Sequence, residues 1–407
     1  MVVERLRVAF CIRNDYLKLR GGDTIQSLQT KKYLEEVFGV LVTIIDSPEK
    51  LVPGDYDICH LFNIQKINDI NAYLGKCRQT SVKVVLSPII WDFTDVVVYT
   101  FLVKHLSLYH LSARRLGIAA RVLKLIARVA GLPTIFTGKY REYLRLTASS
   151  VHMLLPNSAE EAEVLARLSG ECRERLLTKT RPVVNAVEMA EPPPEAVTRF
   201  AEQYRIPPGY VLQVGRIEPG KNQYHVIEAL MEDKEIPLVF VGNQRANSKY
   251  FRTTEVHAHK RGNVFFFDEV AQSELTLFYR NARLHILPSL GETTGLVSLE
   301  ALACGCPIVV ANERYCPFNS YFNGLATAVD PLCPEAIRAG IFSEFAVKRD
   351  MQTISRRIRL QYSWLLAARQ TYEAYQCVVG HAEKLSSDKA EKVVAQHTKN
   401  GKSHYAI

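Results

Sequence analysis

Four ionisable side chains in the second half of the chain have types and spacing suited to chemistry. Arg216 and Lys221 stand five apart across a Pro-Gly turn in GRIEPGKNQ, and Glu292 and Glu300 flank a glycine-containing turn in GETTGLVSLE with seven residues between them. Two cations on one turn can hold phosphate oxygens, or can be solvated and idle. Two carboxylates beside a turn can form an acid/base pair, or can be the polar face of a helix. The backbone amides of Thr293, Thr294, Gly295, Leu296 and Val297 open a predicted helix, where the unpaired N–H groups and the helix dipole favour an anion. Gly21 and Gly22 precede another predicted helix and offer the same. Each loop alone is weak evidence, but the three together point to a phosphorylated ligand.

The elements that must carry these loops alternate. RVAFCI (7–12), LVTII, YDICHLFN, KVVLSPII and VHMLLPNS read as buried strands, and residues 24–39 as a helix capped by Asp23 or Thr24 and ended by Gly39. Ser158 is the expected cap of AEEAEVLARL. The segment 190–209 carries five prolines and reads as a linker with a short helix. Alternation then restarts with YVLQVG, PLVFVG, NVFFF, LHILPS and PIVVA. Strands alternating with helices predict parallel sheets, so the expected architecture is α/β, two Rossmann-like domains facing each other across a cleft. The expected bounds are 1–190 and 210–351 for the two domains, 191–209 for the linker, 352–378 for helices crossing back to the first domain, and 379–407 for a disordered polar tail. In such sheets ligands sit at the carboxyl ends of the strands, where the three loops lie.

A chain of 407 residues suits two domains rather than one core. No run approaches the roughly 18 apolar residues that span a bilayer, and the N-terminus lacks a signal-like stretch, so the expectation is a cytoplasmic protein. The nine cysteines lack metal-ligand spacing and read as reduced core residues. The net charge of +9 is concentrated between residues 104 and 145, where nine basic residues face one acid, Glu142. At 100° per residue Arg114, Arg121, Lys124 and Arg128 fall in a sector of about 80°, opposite Leu116, Val122, Leu123, Ile126 and Val129. With VVVYTFLV (96–103) before it, this helix reads as a peripheral membrane contact, the alternatives being a solvated helix face or a nucleic-acid patch. No RNP-like or helix-turn-helix pattern favours nucleic acid.

The combination resembles the retaining GT-B glycosyltransferases of family four, the Glu-x7-Glu type, and within them branches that build bacterial surface polysaccharides. GGDTIQ, LLPNSAEEAEVL, VVNAVE, GRIEPGKNQ, SLGETTGLVSLEALACGCPIVV and YSWLLAARQTYEAY carry the resemblance, over most of residues 5 to 377. It implies a nucleotide-diphosphate sugar as donor, a lipid-linked or glycan acceptor, and no cofactor. Arg216 and Lys221 would neutralise the diphosphate in place of a metal ion. Glu292 would hold hydroxyls of the transferred sugar, and Gly295 to Val297 would give amides to phosphate. Glu300 would take the ribose hydroxyls, and the loop ending at Val270 would lie against the base. Where many relatives have a histidine, this chain has SPIIWDFTD, which makes Trp91 and Asp92 acceptor-side candidates, with His60 a third. Asp55 and Asp57 imitate a metal motif but precede a strand, and no metal is expected there. Two other readings fit the same fold: a sugar-nucleotide epimerase, and a catalytically silent membrane-associated scaffold.

Overall fold

The computed structural model describes residues 5–17, 21–130, 138–243 and 248–380, with backbone only for 124–130 and 201. In the first half the order is β1 (Arg7–Cys11), α1 (Gly22–Phe38), β2 (Leu41–Ile45), β3 (Ile58–Phe62), α2 (Ile67–Cys77), β4 (Lys83–Ser87), α3 (Thr94–Leu106), α4 (Ala113–Ala130), α5 (Gly138–Ser150), β5 (Met153–Leu154), α6 (Ala159–Ser169) and α7 (Arg173–Thr178). The second half holds α8 (Pro194–Tyr204), β6 (Val211–Val214), α9 (Gln223–Ala229), β7 (Leu238–Val241), α10 (Lys249–Arg261), β8 (Val264–Phe267), α11 (Gln272–Asn281), β9 (Leu284–Leu287), α12 (Leu296–Ala303), β10 (Ile308–Ala311), α13 (Phe318–Tyr321), β11 (Thr327–Val329) and α14 (Pro334–Ala346). Two helices follow, α15 (Met351–Gln361) and α16 (Trp364–Val379).

The strands form two parallel sheets, in the orders β2-β1-β3-β4-β5 and β11-β10-β9-β6-β7-β8. Helices cover both faces, which is why strands such as β3 and β6 are apolar at nearly every position and buried throughout. Ends are set locally. Gly39, at φ 66°, closes α1 by donating its N–H to Leu34 O, and Ser158 Oγ accepts the Glu161 N–H at 3.0 Å to open α6. The cap expected at Asp23 or Thr24 is instead Gly21, with no side-chain bond. Asp23 is already engaged, accepting from Arg13 Nε at 3.0 Å and Asn63 Nδ2 at 3.1 Å.

Two placements differ from the sequence expectation. First, α15 stays with the second sheet, where Ser355 Oγ and Arg359 Nε donate to Ala303 O at the end of α12, and only α16 crosses back to pack on α1. Second, α3 and α4 belong to the first half by sequence but pack into the core of the second. Val98, Tyr99, Leu102 and Val103 share one buried cluster with Val226, Ile227, Phe251 and Ile286. The VVVYTFLV segment is therefore not free to enter lipid. Burial in protein already removes these four side chains from water, roughly 1.5–3 kcal/mol each, so lipid offers them no comparable further gain.

The outer surface of α3 and α4 keeps Leu106, Leu108, Ile118 and Val122 exposed, interleaved with exposed Arg114, Arg115 and Arg121. Leu116 and Ala120, on the other side of α4, are buried. Val122, expected on the buried side, is thus on the open one. The side chains of Lys124 and Arg128, and the tail beyond residue 380, lie outside the described residues. Among the described residues no helix is long and apolar enough to cross a membrane.

Candidate active site

Lys221 closes a 3-10 turn after β6, and Glu292 follows β9, the neighbouring strand. Register alone brings their loops together, and Leu290 N donating to Gly220 O at 2.9 Å ties them. Lys221 Nζ and a carboxylate oxygen of Glu292 form a direct ion pair, with side chains 21% and 13% exposed. Glu292 is also fixed through its backbone, whose N–H donates to Tyr315 O at 2.8 Å.

Beyond Glu292 the chain turns through Gly295, at φ 78°, into α12. That conformation is open to glycine at little cost, and the amides of Leu296 and Val297 then begin the helix without intrahelical partners. On the other side of the cleft Gly21 and Gly22 begin α1. A Cβ on Gly22 would lie 3.6 Å from Leu296 Cδ1, so the N-termini of α1 and α12 face each other. The two positive helix ends meet here, and Leu296 is only four residues from Glu292, the partner of Lys221; such an arrangement favours an anion.

Glu300 sits one turn into α12 and accepts from Tyr279 OH at 3.0 Å. Burial pushes its carboxyl up from the ordinary value, with the tyrosine hydroxyl opposing. Glu292 and Glu300 therefore bond to different partners, Lys221 and Tyr279, and do not form an acid/base couple.

Other expected residues are engaged elsewhere. Arg216 is 56% exposed and pairs with Glu218 at 2.9 Å. Thr294 is buried, its hydroxyl accepting from Asn185 Nδ2 at 3.4 Å, while Thr293 is only half-buried. Val270 is half-buried in the loop after β8, at the edge of the second sheet.

The acceptor-side candidates are corrected. His60 is 1% exposed, bonded through Nδ1 to Tyr375 OH at 2.6 Å and through Nε2 to Ser87 Oγ at 2.9 Å. Burial lowers its pKa to about 3, so it is a neutral core histidine joining β3, β4 and α16. Trp91 is equally buried, and its Nε1 donates to Arg314 O at 3.0 Å across the two halves, which leaves no open face for a sugar. Asp92 accepts from Thr94 N at 3.2 Å and Arg167 NH1 at 2.9 Å. Burial raises its pKa, but these bonds outweigh it and hold the carboxyl below the usual value, which makes it a weak base. Asp57 pairs with Arg7, and among the described residues no cluster of metal-ligating side chains occurs.

Sequence reasoning missed Glu161. Fully buried, it accepts from Ile90 N at 3.0 Å and Asn157 N at 2.7 Å, and burial pushes its pKa to about 8. It holds the 88–91 loop that carries Trp91. The spacing Ser158-x-x-Glu161 is a capping-box signature and was the available signal. A cavity of about 370 Å³ between the α3–α4 turn and helices α9 and α14 is lined by His110, Ser112, His225, Glu228 and Arg338. The Lys221–Glu292 pair does not border it.

Residues 197–341 match the family described as glycosyl transferases group 1. The match covers about a third of the chain, from α8 to α14. The architecture is that of the GT-B glycosyltransferases: a sucrose-phosphate synthase from Thermosynechococcus elongatus superimposes with a TM-score of 0.69 at 16% identity, covering 93% of this chain and 100% of that one. The Anabaena protein HepE, solved in complex with UDP and glucose, gives 0.62 at 14% identity over 92% of this chain and 100% of its own. Among curated relatives, a D-inositol 3-phosphate glycosyltransferase of Xylanimonas cellulosilytica is 27% identical over 54% of this chain and 56% of its own length. The O-antigen chain mannosyltransferase B of Escherichia coli is 26% identical over 57% and 62%. The chain thus spans under two thirds of the length of these curated relatives.

Proposed function

We propose that this protein transfers a sugar from a nucleotide-diphosphate sugar to a hydroxyl of a lipid-linked glycan acceptor at a membrane surface, without a metal ion and with retention at the anomeric carbon. The observation that carries the reading is the convergence of the α1 and α12 N-termini on the Lys221–Glu292 pair. The diphosphate would lie between the helix ends and take Lys221, Glu292 would hold sugar hydroxyls, and Glu300 the ribose. Arg216, on the same turn as Lys221, would swing from Glu218 to phosphate.

As the bond from the anomeric carbon to phosphate oxygen breaks, negative charge grows on the leaving oxygen. Fixed cations and amides there stabilise the transition state more than the bound donor. The acceptor oxygen bonds to the anomeric carbon, and its proton passes to the departing phosphate, since Asp92 is held ionised by Arg167 and is a poor base. The glycosyltransferase domain and the UDP and glucose complex of the structurally similar HepE support a sugar nucleotide. The E. coli relative supports a surface-glycan acceptor. For membrane contact the support is the exposed surface of α3 and α4, where leucine, isoleucine and valine alternate with arginine.

The test is donor consumption by the full chain with EDTA, across UDP-, GDP-, ADP- and TDP-sugars, with Glu300→Ala as control. Release of one nucleoside diphosphate is expected, strongly reduced in the control at donor concentrations below the wild-type KM. Silence with every donor, even after addition of a lipid-acceptor extract, overturns the reading.

A further inference from the structure

The fold grips the Arg216–Lys221 loop by its carbonyl oxygens. Gln213 Nε2 donates to Lys221 O at 2.6 Å and Gln223 Nε2 to Arg216 O at 2.9 Å. Asn222, at φ 64°, is the junction. Its Nδ2 donates to Pro288 O at 3.2 Å and to Pro331 O at 2.5 Å, so one side chain joins the loop of Lys221 to the strand end that leads to Glu292. Gln213, Asn222 and Gln223 are at most 1% exposed.

Because Asn222 Nδ2 is spent on carbonyls, its Oδ1 must accept, and the neighbour 2.5 Å away is His225 Nδ1. Tyr99 OH cannot supply that proton to His225, since it donates to Tyr109 O at 3.2 Å. His225 therefore carries its proton on Nδ1, and burial keeps the ring neutral, with a pKa lowered to about 4. The same ring contacts Tyr99 of α3, 3.4 Å from Nδ1.

We propose that Asn222 and His225 are positioning residues that set the working geometry of the Lys221 loop. Turning the loop's carbonyls inward keeps the negative ends of those peptides away from a diphosphate, and fixes the Lys221 ammonium beside Glu292. This rests on the glycosyltransferase reading for its catalytic consequence, but not for the loop geometry itself. Both side chains are buried, at 0% and 1% exposed.

Two measurements on the full chain decide it. Asn222→Gly keeps the positive φ and removes both donors. His225→Asn puts an amide nitrogen near the place of Nδ1, and His225→Leu removes the donor. Hydrogen exchange of amides in 216–223 is expected to quicken about tenfold or more in Asn222→Gly and His225→Leu, with α1 and α16 unchanged and His225→Asn close to wild type. With whichever sugar nucleotide the wild type consumes, kcat is expected to fall about 10- to 100-fold in the same two variants while KM stays within about threefold. Unchanged exchange in both variants overturns the proposal, as does unchanged kcat with a loosened loop. A wild type inactive on every donor overturns the functional reading instead, and exchange alone then decides whether these side chains hold the loop.

Discussion

Gly22 and Leu296 meet across the cleft: a methyl group added to Gly22 would stand 3.6 Å from Leu296 Cδ1. That contact places the first turn of α1 against the first turn of α12. Leu296 is four residues from Glu292, the partner of Lys221, so the two helix starts meet close to that ion pair.

Removing Lys221 should be costly and not independent of Glu292. Lys221→Met is expected to lower kcat by about 100- to 1,000-fold, the loss typical of one oxyanion donor. Glu292→Gln should lose a similar factor, and the double variant much less than their product, since the two side chains are one ion pair. Steady-state donor hydrolysis measures all three.

Glu300 should act on donor affinity. Glu300→Ala is expected to raise donor KM by about tenfold or more with a smaller effect on kcat. Tyr279→Phe removes the hydrogen bond that opposes the burial effect, so the carboxyl moves further upward and donor binding shifts to higher pH. A pH profile of kcat/KM for the variant and the wild type checks the direction.

Membrane contact, if it runs through α3 and α4, depends on exposed apolar residues as well as charge. Ile118→Asp with Val122→Asp is expected to abolish co-sedimentation with anionic vesicles, and Arg114→Glu with Arg121→Glu to weaken it in a salt-dependent way. Donor hydrolysis without a lipid acceptor should be unaffected in both. Retention of vesicle binding by the aspartate variant would remove this surface from consideration.

Acid should unfold the protein through its buried imidazoles. Burial lowers the pKa of His60 and His285 to about 3 and of His225 to about 4, against 6.5 when exposed. A depressed histidine contributes stability that is complete above 6.5 and declines as pH falls toward the folded value. Three such groups lower the unfolding free energy by about 4 kcal/mol per pH unit below pH 6, and Glu161, protonated in the fold up to about 8 and ionised when unfolded, offsets about one proton of that, leaving about 3 kcal/mol per pH unit. Denaturant titrations between pH 7 and 4.5 measure the slope, and His60→Gln should reduce it by about one proton.

Gly291 reports on how tightly α3 covers the site. A Cβ there would come within 2.7 Å of Phe93 Cδ1 and 3.2 Å of Val96 Cγ2. Gly291→Ala should therefore be destabilising, by about 1–3 kcal/mol if the ring cannot shift. Phe93→Ala should relieve it, which a double-mutant cycle of thermal stabilities reads directly.

Much of this was legible in residue order. The apolar strands, Gly39 as a helix end and Ser158 as a cap follow from local pattern, whereas the direct pairing of Lys221 with Glu292 comes from the adjacency of β6 and β9. What local pattern does not contain is the partner of an apolar surface. VVVYTFLV has to be buried, but its amino acids do not say whether by lipid or by the second sheet. His60 looks like any histidine at a strand end until Tyr375, 315 residues later, closes over it. Arg216 stands two residues from Glu218, a competitor visible in the sequence that the phosphate reading had left out.

The arm of α3 and α4 has a mechanical consequence. It leaves one half through the 88–93 segment and beds on the other, so the halves are tethered there as well as at the stretch before α8 and the turn between α15 and α16. Attachments spread along one interface restrict the rotation of one half against the other more than a single hinge would. How firmly that first tether is held then bears on any movement of one half against the other, and its holds are Glu161, through the Ile90 amide, and Gln65, through the Ile89 carbonyl.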